Sequence, residues 1–219
     1  MSGRLKKQIH TGIDENMAIT HANYVVIDIK LTGLDEDKDS IFSIGAIMMS
    51  GGRIELGETF YRLLKPDAYS SAQNLPAHGV APTRLLLEPN LAPVLQEFLT
   101  LSGNDILAGH LVSTDLAFLK NEVQRLIGKE VKNPVIDTYQ LYHWIMRREA
   151  SGAFYTPKDV KLYEVASQLG VAVSNDHNSM DDAFITAQVF QRLMPMLVRA
   201  GVKTVGDLLR IGDPAGGLR

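Results

Sequence analysis

From residue 24 the chain alternates with a period of two. Tyr24, Val26, Asp28 and Lys30 fall on one face of an extended segment, and Val25, Ile27 and Ile29 on the other. Asp28 and Lys30 are thereby neighbours on one face, with Cα atoms about 6.5 Å apart. After the acidic turn Asp35-Glu36-Asp37, two more β-type runs follow over 40–49 and 53–64, separated by the reversal Ser50-Gly51-Gly52. Three strands joined by short turns predict an antiparallel meander.

Beyond a Pro-punctuated connection over 65–90, in which Thr83 is placed to cap a short helix, the period changes. Leu91, Val94, Leu95 and Phe98 recur at helical spacing. A strand over 105–110 precedes a helix over about 114–127, and a short strand over 134–136 precedes a helix over 138–148. The Ser151-Gly152 region reads as a loop, and helices follow over 159–169, 179–200 and 204–211. Pro195 predicts a kink or break in the second of these.

The sum is an α/β fold, a mixed five-stranded sheet of one antiparallel meander plus parallel strands, with helices on both faces. Residues 1–22 read as a loosely attached lead-in with a short helix around 15–21. Residues 23–200 form the main domain, and 201–219 a C-terminal helix and tail.

Composition narrows the function class without choosing it. The chain has 219 residues, 45% hydrophobic and 21% charged, which suits one soluble globular domain. With no cysteine there is neither a disulfide framework nor a thiolate metal site. No apolar run reaches the ~18 residues of a membrane span, and none follows the Arg4, Lys6, Lys7 cluster, so a cytoplasmic protein without membrane contact is expected. A net charge of −3 argues against a protein that coats nucleic acid, but not against an enzyme acting on it.

Three aspartates fall where such a sheet could gather them: Asp28 at the end of the first strand, Asp115 opening a helix, and Asp182 in the first turn of the long helix. Together they would offer oxygen ligands to a hard divalent cation, with His177 in reach as a base. Each also has a structural reading. Asp28 and Lys30 can form a solvated ion pair, Asp115 can favour a helix dipole, Ser179-x-x-Asp182 matches a capping box, and His177 can be an ordinary loop residue. The Thr32-Gly33 turn would bring backbone N–H groups toward whatever Asp28 faces.

The order of these residues resembles the DEDDh 3′-to-5′ exonucleases, the RNase H-like group that includes the proofreading subunit of bacterial replicative polymerase. Asp28-Ile29-Lys30-Leu31-Thr32-Gly33 stands where the family has D-x-E-T-T-G. Gly109-His110 through Asp115-Leu116-Ala117-Phe118-Leu119 stands where it has G-H-N-x-x-F-D-x-x-F-L, and His177 through Asp182-Ala183 matches H-x-A-x-x-D-A. Ala77-His78-Gly79-Val80 and Ile136-Asp137-Thr138 are weaker similarities, and the resemblance spans about 23–197.

The resemblance implies Asp28, Asp115 and Asp182 as ligands of Mg²⁺ or Mn²⁺, one or two ions, and His177 as general base. It implies Leu31, Thr32, Gly33 and His78 at a nucleic-acid 3′ end or nucleotide, with room for a protein partner. Lys30 occupies the position of the metal-bridging glutamate and becomes the residue on which catalysis turns. Leu31, Leu111 and Thr114 replace a threonine, an asparagine and a phenylalanine. An ammonium ~4 Å from a metal ion would repel it by about 4 kcal/mol per unit of metal charge at an effective dielectric of ~20. The side chain could instead swing to solvent, leaving a one-metal site, or itself fill one cation's place. Two functions stand from this: a metal-dependent 3′-to-5′ exonuclease of reduced activity, or an exonuclease-like protein that binds nucleic acid or nucleotides without efficient hydrolysis. A third, an interaction scaffold using Met194, Met196 and Leu197 and the 204–211 tail, competes with plain core packing of those residues.

Overall fold

The computed structural model describes residues 12–66, 82–150, 160–173 and 177–216. The stretch holding His78, the Ser151-Gly152 loop, the Arg4, Lys6, Lys7 cluster and the expected helix start at 159 lie outside the described residues.

Five strands form one sheet in the order β3-β2-β1-β4-β5: β1 Asn23–Leu31, β2 Ile41–Ser50, β3 Arg53–Leu63, β4 Ile106–Gly109 and β5 Val135–Asp137. β1–β2 and β2–β3 are antiparallel, whereas β1–β4 and β4–β5 are parallel. The expected mixed sheet with its meander is therefore present. The helices are α1 Pro82–Leu85, α2 Leu91–Ser102, α3 Ser113–Ile127, α4 Thr138–Glu149, α5 Leu162–Gln168, α6 Ser179–Arg199 and α7 Val205–Ile211.

The alternation in β1 feeds two cores. Tyr24 and Val26 join Ile47, Ile185, Phe190 and Leu197 on one face, while Val25, Ile27, Ile29 and Leu31 join Leu95, Phe98, Leu119 and Val123 on the other. Because both faces are covered, β1 is a central strand, and a charged residue within it must find partners inside the protein.

Five expectations need correction. Residues 15–21 form turns and an isolated bridge from Ala18 to Thr204 rather than a helix. That stretch is held in place from residue 12 on: Ile19 N–H donates to Lys203 O, Gly206 N–H donates to Glu15 O, and Ile19 is fully buried. α6 continues through Pro195 without a break, its last turns fixed by buried Leu193, Met194 and Leu197, with Met196 partly buried against the same core. These residues are core, not a scaffold surface. Finally, Thr83 lies inside α1 rather than ahead of it.

Among the described residues no helix is long and apolar enough to cross a membrane.

Candidate active site

The long helix α6 reaches the Asp28 face of β1 because β2 gives it room. Gly45 pairs with Asp28, and a Cβ at Gly45 would sit 2.2 Å from the Ser179 carbonyl oxygen, so only glycine admits this approach. Ser43 pairs with Lys30, and its Oγ shares a buried hydrogen bond of 2.6 Å with Ser179 Oγ. The cap of α6 is therefore Asn178, whose side chain accepts from Met180 N–H and Asp181 N–H. The capping box expected from Ser179 is not formed, because its hydroxyl is committed to β2. The helix so anchored carries Asp182 to β1 one turn in.

Lys30 points inward. Its Nζ donates to Asp182 Oδ2 and lies 3.1 Å from Asp28 Oδ2, with only 13% of the side chain exposed. Neither solvent-facing alternative for Lys30, the frayed ion pair or the swung-out ammonium, is adopted. The other Asp182 oxygen, Oδ1, accepts from the Tyr163 hydroxyl of α5. Asp115 Oδ2 accepts from the Ile29 backbone N–H at 3.2 Å.

Burial shapes the ionisation of this cluster. It pushes the Asp28 carboxyl well above the ordinary carboxylate range, against the pull of Lys30, with the Asp115 and Asp182 charges adding to the rise. It pushes Asp115 up to about 7, against the Ile29 hydrogen bond and Lys30. Burial opposes the Lys30 charge too, but Asp28 and Asp182 together hold its pKa above the usual lysine value.

Asp28 and Asp182 thus meet at Lys30, with Asp115 held on the neighbouring Ile29 N–H, and among the described residues no group of three or more histidine or acidic side chains is placed to hold a metal ion. The residues as arranged do not fit a pair of divalent cations. Both oxygens of Asp182 and one of Asp115 are already bonded within the chain, and the Lys30 ammonium stands between Asp28 and Asp182.

The remaining expected residues lie around this cluster. His177 is exposed, its ring edge-on to Tyr163 at 4.8 Å between centroids, with a left-handed backbone (φ 47°). Leu31 is buried in the core on the opposite face of the sheet. The Thr32-Gly33 turn serves Asp39 rather than Asp28: Thr32 Oγ1 donates to Asp39 Oδ1 at 2.9 Å, and Gly33 leaves space for that carboxylate.

Two residues given no role by the sequence reading also shape the site. Asp137, which ends β5, accepts from Leu111 N–H, Val112 N–H and Tyr139 N–H and so fixes the loop that leads to Asp115. A carboxylate at a strand-to-helix junction was the signal available for it. Tyr163 carried no signal, since its approach to Asp182 depends on how α5 packs against α6.

The chain belongs to the exonuclease family: the family model described as Exonuclease (RNase_T) matches residues 25–190. Among its relatives, the DNA polymerase III subunit epsilon of Aquifex aeolicus is 29% identical over 174 residues, covering 80% of this chain and 81% of that protein. A PolC-type DNA polymerase III of Thermotoga maritima is 27% identical over 92% of this chain, which spans only 14% of that protein. The fold is similar to that of E. coli exonuclease I solved with a dT13 oligonucleotide (TM-score 0.69, 16% identity, 82% of this chain and 42% of that one). It is also similar to exonuclease X in complex with 5′-overhanging duplex DNA (TM-score 0.57, 19% identity, 88% and 99%).

Proposed function

We propose that this chain is an exonuclease-family domain that binds the 3′ end of a nucleic-acid strand and hydrolyses its phosphodiester bonds at a strongly reduced rate. Family membership supports the substrate class, and one observation carries the reduced rate: the Lys30 ammonium is bonded to Asp182 and paired with Asp28. A Mg²⁺ or Mn²⁺ ion, were one held by Asp28, Asp115 and Asp182, would supply an oriented water and charge neutralisation at the phosphate. Here Asp28 and Asp182 spend their charge on Lys30 instead. Asp115, Asp28 and Asp182 remain the residues toward which a cation would be drawn, and His177, exposed beside Tyr163, the candidate base.

The names of the relatives make a polymerase the first protein partner to test.

The test is a paired measurement on 3′-labelled single-stranded DNA and RNA. Anisotropy should show binding in EDTA, and the same strands should stay largely intact when Mn²⁺ replaces the chelator. Absence of binding would refute the substrate class, and degradation within minutes at low enzyme concentration would refute the reduced rate.

A further inference from the structure

Asp182 is held from two sides by donors from different elements. Lys30 of β1 occupies Oδ2 and the Tyr163 hydroxyl of α5 occupies Oδ1. The same tyrosine ring stands edge-on to His177, with 79° between the ring planes. Val165 and Ala166, two and three residues further along α5, are fully buried in the core shared with α6, so Tyr163 projects from a fixed support. His177 meanwhile keeps a left-handed backbone, uncommon for a non-glycine residue though less so for histidine than for most.

We propose that Tyr163 is a second lock on this site: a positioning residue that withholds Asp182 from a cation and seats the His177 ring against its own. This rests on the reading that Lys30 closes the site, and it adds that removing Lys30 alone opens it only in part. With Lys30 replaced, Asp182 Oδ2 is free while Oδ1 still accepts from the phenol. A cation needing that oxygen must break a hydrogen bond to a charged group, which costs about tenfold in affinity.

The experiment is Mn²⁺ titration calorimetry, without nucleic acid, on the natural chain, Lys30→Glu, Tyr163→Phe and the double variant, with thermal unfolding to confirm that each is folded. If Lys30→Glu does not fold, Lys30→Gln takes its place in both single and double variants. The double variant should bind Mn²⁺ about tenfold more tightly than the Lys30 variant. Equal affinity in the two, or binding in neither, overturns the proposal. A purely structural role for Tyr163 would lower the unfolding midpoint and leave the affinity where it was. Mn²⁺ binding by Tyr163→Phe with Lys30 intact would instead remove the Lys30 reading and leave Tyr163 as the lock.

Discussion

Leu111 has a left-handed backbone (φ 54°) at the position where the exonuclease motif carries asparagine, a residue that tolerates this conformation. Leucine holds this backbone shape because Asp137 grips the Leu111 and Val112 N–H groups. Half of Leu111 is exposed, so little apolar burial is forfeited by changing it. Leu111→Asn should therefore stabilise the protein by about 0.5–1 kcal/mol, read as a higher urea midpoint at unchanged slope. Asp137 itself sets a pH dependence. Burial pushes its carboxyl up to about 6 against three backbone donors, whereas the unfolded chain keeps an ordinary carboxylate. Its contribution is present in full below the unfolded pKa of ~4 and is lost as pH rises through about 6, because in that window the folded state holds the extra proton. Urea titrations from pH 4 to 7.5 should show that the penalty for Asp137→Asn shrinks over this range, by on the order of 2 kcal/mol. A penalty independent of pH would rule this out.

Among the elements, the docking of α6 on β2 determines where the site forms. Gly45→Ala would place a methyl carbon in the Ser179 carbonyl, and either the helix or the strand would have to move. A loss of about 3 kcal/mol is expected, with Asp182 displaced from Lys30, measurable by chemical denaturation and a crystal structure of the variant. The strands and most helices were legible because their periods are clean, and the faces of β1 followed directly from alternation. Other features depend on tertiary choices with no local signature. Asn178 and Ser179 are both good caps, and only the contact of Ser179 with Ser43 decides between them. Pro195 reads as a breaker until the core around Leu193 and Leu197 is known. The inward course of Lys30 follows from β1 being buried on both faces. The hold of Tyr163 on Asp182 joins residues with no sequence pattern in common.

For the whole molecule, the balance is between an internal cation and external ones. Lys30 compensates the Asp28 and Asp182 carboxylates from within the chain, so the natural fold should need no metal for stability. Removing the ammonium leaves uncompensated charge at a cost of about 3–5 kcal/mol. A glutamate at this position adds one more carboxylate, which a divalent cation should offset. The most direct measurement is the degradation of a 3′-labelled oligonucleotide by the natural chain and by Lys30→Glu, side by side with Mn²⁺. At least a tenfold gain in the variant is predicted, since a change of about 1.4 kcal/mol is one decade. Efficient degradation by the natural chain, undiminished with Lys30 in place and no faster in the variant, would contradict the claim that Lys30 closes the site.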